Sequence, residues 1–131
     1  MTSPNNEPRD ILKAGGVSEL AVASTGVVYS QAFELPVRRS MGIEILFSSD
    51  AAVDVKVEFE QGNQLPTTEG SSDAAWAVGD EISSGITDEN PHFLAVAPVV
   101  SLFGRIKLTG QGSNAASTKV TKLKMVESQN A

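Results

Sequence analysis

The chain has 131 residues, 40% of them hydrophobic and 20% charged, and a net charge of −6, which bounds it to one globular domain and argues against a nucleic-acid partner, because binding to phosphates needs clustered Lys and Arg. With no cysteine, a disulfide framework, thiolate metal sites and a cysteine nucleophile are excluded together. Aromatics at 5%, with 11 Gly and 6 Pro, suit many short strands joined by turns.

Residues 1–16, "MTSPNNEPRDILKAGG", hold two prolines and a closing Gly-Gly and offer only "ILKA" for burial. They read as an N-terminal arm, with Ile11 and Leu12 available to anchor on a partner. Fully extended, such an arm spans roughly 50 Å. The segment has no charged stretch followed by an apolar run, and the longest apolar run, "FLAVAPVV", is too short for a bilayer. The expectation is a soluble protein that stays where it is made, with no membrane partner.

From Val17 onward the periodicity is two. Candidate strands in chain order are 17–23, 28–35, 42–48, 53–60, 74–78, 92–97, 102–109 and 118–126, with a weaker one near 81–86. No stretch carries a sustained helical period with caps, so at most one helical turn is expected. Eight or nine short strands predict an all-β fold: an antiparallel β-sandwich, jelly-roll-like, over residues 17–131 with residues 1–16 as a flexible arm. The segment 61–73, "QGNQLPTTEGSSD", is too polar for the core and reads as a projecting loop.

The best strands also reveal their faces. Val53, Val55, Val57 and Phe59 alternate with Asp54, Lys56, Glu58 and Glu60, so one side is apolar and the other nearly all acidic. Ile106 and Leu108 oppose Arg105 and Lys107, and Leu123 and Met125 oppose Lys122 and Lys124. Charge is segregated along the chain as well: residues 44–89 hold eleven acids and one base, a local −10. Acidic and basic outer rows stabilise each other when their strands are neighbours in one sheet.

Chemistry-bearing residues are few. A Ser-His-acid triad has only His92 as base, and no G-x-S-x-G elbow supplies a nucleophile. Carboxylates for glycoside hydrolysis would come from Asp73, Asp80, Glu81, Asp88 or Glu89, but one Trp and one Tyr give a poor sugar-binding surround. The chain is therefore expected not to be an enzyme. Asp80, Glu81, Asp88, Glu89 and Asn90 are oxygen ligands of the calcium type without EF-hand spacing, so they read as solvated turn residues and no metal or cofactor is expected. "GQGSNAAS" at 110–117 has the look of a dinucleotide loop but leads into no helix, and reads as the connection between the last two strands.

Contact candidates remain. Arg38 and Arg39 in "LPVRRSMG" are suited to a phosphate or a partner carboxylate, and equally to a solvated corner after Pro36. Trp76, Tyr29 and Phe103 are the candidates for a carbohydrate platform, and alternation sets Phe103 outward beside Arg105 as a candidate protein interface.

The C-terminal stretch "VVSLFGRIKLTGQGSNAASTKVTKLKMVES", an Arg-x-Lys-hydrophobic-Thr-Gly strand followed by a Gly/Asn/Ala loop and an alternating strand, resembles small β-sandwich virion proteins of tailed bacteriophages, of the head decoration, cement or tail-associated type. "GIEILFSSDAAVDVKVEFEQGN" extends the resemblance to about half of the chain. It implies a non-catalytic structural protein that decorates or cements a capsid, made in the host cytoplasm and resident in the virion. The implied partners are other copies of the chain, a trimer among the candidate states, and a capsid or other virion protein. Ile11, Leu12, Arg38, Arg39, Phe103 and Arg105 are the candidate partner-binding residues. The rival reading is a carbohydrate- or receptor-binding β-sandwich module.

Overall fold

The structure, a computed structural model, describes residues 9–12, 19–35, 41–64, 76–77, 79–96 and 101–127. Among these residues there is no helix. Ten strands form two antiparallel sheets: β1 (Arg9–Asp10), β2 (Leu20–Ala21), β3 (Val27–Tyr29), β4 (Phe33–Glu34), β5 (Met41–Ser48), β6 (Val55–Gly62), β7 (Asp80–Ile86), β8 (His92–Ala95), β9 (Phe103–Gly110) and β10 (Lys119–Glu127). The first sheet runs β1-β10-β5-β8, with β2 pairing the other end of β10. The second runs β3-β9-β6-β7, with β4 pairing the other end of β9.

Taking β1 with β2 and β3 with β4 as two interrupted edge strands leaves eight strands that cross between the sheets in the jelly-roll order. The second interruption has a visible cause. Between β3 and β4, Ser30 is buried, its N–H donates to the Ile106 carbonyl at 2.8 Å, and its hydroxyl accepts from the Ile106 N–H at 2.9 Å. The side-chain oxygen stands in for a backbone acceptor, so β9 loses no partner where the edge strand bends away.

The core lies between the sheets and is built from the alternating apolar rows. Met41, Ile43, Ile45 and Phe47 of β5 face Val55, Val57 and Phe59 of β6 and Ile106 and Leu108 of β9, all buried. The eight residues expected in the core, Val53, Val55, Val57, Phe59, Ile106, Leu108, Leu123 and Met125, are all there. In β10 the alternation slips: Val120 and Leu123 both point inward because the register against β5 shifts between Val120 and Lys122. One extra residue at a bulge restores the inward face on both sides.

Three expectations are corrected among the described residues, residues 1–8 and 13–16 of the expected arm lying outside them. Residues 9–12 do not stand apart as an arm: β1 pairs with β10 through Arg9 to Met125 and Asp10 to Lys124, and Ile11 and Leu12 are 1% and 2% exposed within the core. The Ile11 N–H donates to the Leu123 carbonyl at 3.0 Å, and the Ile11 carbonyl accepts from the Gln31 N–H, between β3 and β4, at 2.9 Å. Two adjacent apolar side chains thus tie this segment into the core cluster. The strand expected at 28–35 is two short ones, and the one expected at 74–78 is a single bridge from Trp76 to Gly62, its residues 74, 75 and 78 lying outside the described set.

Replacing Ile11 with Ala removes a fully buried side chain that both sheets enclose, and should cost about 2–4 kcal/mol. Urea unfolding followed by circular dichroism measures it; a loss under about 1 kcal/mol would mean the segment is not part of the core.

Candidate functional site

The outer face of the second sheet carries the densest set of interacting polar and aromatic groups. Alternation in β9 sends Arg105 and Lys107 outward, and the register of β9 against β6 sets Glu60 opposite Arg105 and Glu58 opposite Lys107. The acidic row and the basic row are thus neighbours. Arg105 Nε donates to Glu60 Oε1 at 2.7 Å, and Lys107 Nζ lies 3.9 Å from Glu58 Oε1. Lys56, the only base in the acidic stretch, reaches Glu58 at 3.6 Å and Glu81 of β7 at 3.9 Å.

Arg105 is not a surface residue despite pointing outward, being 2% exposed. Its guanidinium carbon lies 3.8 Å from the centre of the Tyr29 ring and 4.5 Å from that of Trp76. Tyr29 arrives from β3, diagonal to Arg105, because its register partner is Lys107. Trp76 bridges antiparallel to Gly62 at the end of β6, and the Ala77 N–H donates to the Gln61 carbonyl at 2.8 Å. A planar, weakly hydrated guanidinium tolerates this cover, whereas an ammonium would lose both ring contacts and its hydration. The cover has a cost: Trp76 Nε1 is the one buried side-chain polar atom among the described residues without a hydrogen-bond partner.

The sequence-predicted site residues separate accordingly. Arg105, expected to face a partner, is enclosed by Glu60, Tyr29 and Trp76. Tyr29 and Trp76 do come together, but around Arg105 and not as a free platform, while Phe103 is half-buried between Glu34 and Gly62. Ile11 and Leu12 belong to the core, and Arg38 and Arg39 lie outside the described residues. The Arg105 cluster had one sequence signal, the placement of a lone Trp just after a polar loop, which does not identify its target.

The acids weighed as calcium ligands do not converge. Asp80 and Glu81 begin β7 while Asp88 and Glu89 follow its end, about 20 Å away along a seven-residue strand. Among the described residues no group of three His, Asp or Glu side chains is placed to hold a metal ion. The second pair closes turns instead. Asp88 Oδ1 accepts from His92 Nε2 at 2.7 Å and from the Asn90 N–H at 3.0 Å, and Glu89 Oε1 accepts from the Ser49 N–H at 3.1 Å. At the same end Asn114 is buried, donating to the Val22 and Ala23 carbonyls and accepting from the Asp54 N–H at 3.1 Å.

Compared with known proteins, the chain matches no protein-family model and finds no similar protein among the curated ones.

Replacing Arg105 with Ala should cost about 3–5 kcal/mol, because Glu60 is left buried without its cation. Trp76 is the only tryptophan, so its emission reports the same event: a red shift is expected for R105A and a smaller one for R105K, which retains charge but not the stacking plane. Unchanged emission in both would mean the ring does not rest on Arg105.

The Asp88 carboxyl is held below the ordinary aspartate value of 3.8, chiefly by the side-chain hydrogen bond from His92 and then by the Asn90 N–H. A depressed folded value means that what ionised Asp88 contributes is present above the ordinary value and is lost as pH falls through the folded one. An NMR titration of this carboxyl should have its midpoint below 3.8, and His92→Ala should raise it.

Proposed function

We propose that the protein is a non-catalytic structural subunit of a phage-type virion, which decorates or cements the particle through contacts with other protein subunits. The observation that carries the reading is where the exposed large hydrophobic side chains lie. Val27 is on the edge strand β3, Phe93 on the edge strand β8, and Leu102 immediately before β9. All three sit on the margins of a jelly roll, an architecture used by capsid and lectin domains alike.

Six of the described ionisable side chains support the same reading. Arg105, Glu60, Glu58, Lys107, Asp88 and Glu89 all hold strands or turns of this chain to one another. Groups engaged in this manner serve a rigid body with contact surfaces better than a reaction centre. The resemblance of the two C-terminal strands and their loop to tailed-phage virion proteins supplies the particle. The rival carbohydrate module is less favoured, because the two rings best suited to a sugar, Tyr29 and Trp76, each have Arg105 against them.

The test is on particles. Virions purified from the culture that produces this chain should contain it in a fixed ratio to the major capsid subunit, read by quantitative mass spectrometry. Its absence from purified particles, with the chain recovered only free in the lysate, would overturn the proposal.

A further inference from the structure

We infer that β8 is a self-pairing edge, through which two copies of this chain join antiparallel into one continuous sheet about a two-fold axis at Leu94. The inference stands on the edge alone and holds whether or not the protein belongs to a particle.

A jelly roll has open edges, and the other edges described here are blunted. β1, β2, β3 and β4 are two or three residues long, and β7 carries exposed Asp80 and Glu81 and slips register twice against β6. Short pieces, charges and bulges are the ordinary protections of a sheet edge. β8, four residues long, has neither a bulge nor a carboxylate or lysine. It pairs with β5 in an unbroken ladder from His92 to Ala95, and among the described residues no strand lies on its other side. No carboxylate or lysine occurs between residues 92 and 96, so the edge meets its own copy without like-charge repulsion, whereas β7 would set four carboxylates together.

The ladder fixes which backbone groups are available. The Val96 N–H donates to the Met41 carbonyl, so Val96, Leu94 and His92 bond to β5. In an antiparallel pair the alternate residues, Phe93 and Ala95, direct their N–H and C=O to the open side. Pro91 has no N–H and ends the row there. With the axis at Leu94, Phe93 pairs with Ala95 of the second copy and Ala95 with its Phe93, which gives four main-chain hydrogen bonds.

Side chains complement one another in the same register. Phe93 is 75% exposed and shares the outer face with Glu44, its partner on β5. Ala95 is the cross-strand partner of Gly42, and Gly42 of Val126, so this row is a shallow apolar depression with no side chain at its centre. Joining the edges brings each Phe93 ring onto the Ala95–Gly42 row of the other copy, a large ring meeting the two smallest residues. A knob and its socket one row apart on the same edge are what an isologous interface requires.

The joint is smaller than the roughly 1,600 Å² of a standard interface, so the dimer is expected to be weak and to appear in the micromolar range or above. Sedimentation of the full chain from about 10 µM to about 1 mM should show a concentration-dependent dimer. A95P removes an N–H that only the second copy uses and should abolish the dimer, as should F93K at a solvent-facing position, with circular dichroism unchanged. F93K keeps the test decisive if A95P does not fold. Because the chain has no cysteine, L94C places a single thiol on the axis and should cross-link under mild oxidant, since directly opposed residues there lie about 4.5 Å apart, within disulfide range. A strictly monomeric protein at about 1 mM, or a dimer that survives F93K and does not cross-link through L94C, would overturn the inference.

Discussion

The pairing of β6 with β9 is the constraint from which the rest of the molecule is built. Eight consecutive residue pairs run from Val55–Gly110 to Gly62–Phe103 without a slip. On the inner side this register stacks Val57 on Leu108 and Phe59 on Ile106; on the outer side it sets Glu58 against Lys107 and Glu60 against Arg105. A slip of either strand by one residue would turn its own faces over, burying its charged row and exposing its apolar one against a neighbour that keeps its own orientation. Hydrophobic burial and charge pairing therefore demand the same register, and that agreement makes a two-sided sheet specify one structure. Gly104 shows how tightly the inner side is filled: a Cβ there would approach Phe59 Cε1 to 2.7 Å and Leu35 Cδ2 to 2.8 Å.

Those rows were legible in the sequence because they depend only on the period of two. The long strands β5, β6, β9 and β10 fall within two residues of the expected bounds, and their inward apolar residues are those that alternation selects except Val120, which the bulge in β10 turns inward. Failures lie where a residue's environment is supplied from far along the chain. β1 is two residues of low β propensity, "RD", and exists because β10 offers an edge and the following Ile11 and Leu12 are buried in the core. The interruption at Ser30 depends on a hydroxyl reaching the backbone of Ile106, a contact 76 positions away.

Arg105 illustrates the limit most clearly. Alternation puts it on the outer face, and an outward Arg beside an outward Phe reads as a contact surface. Whether an outward residue is also exposed depends on what lies above it, and the cover here comes from Tyr29 on β3 and Trp76 beyond β6. Period-two reasoning gives direction and not accessibility. The charged pair beneath the rings ties three strands and Trp76 into one face, so this side of the sandwich is a fixed surface.

Association between copies is constrained by the same packing. For residues 9–12 to reach across to a neighbour, Ile11 and Leu12 would have to leave the core and the main-chain bonds that join Ile11 to Leu123 and Gln31 would be lost. Each buried aliphatic side chain is worth roughly 1.5–3 kcal/mol, so the exchange begins several kcal/mol uphill and is favourable only if the neighbour offers an equivalent vacated site. That condition describes a reciprocal swap between identical subunits and not the capture of a different protein. Residues 9–12 therefore belong to the folded body of each subunit, and among the described residues what that body presents to a neighbour is its sheet edges and the exposed Val27, Phe93 and Leu102.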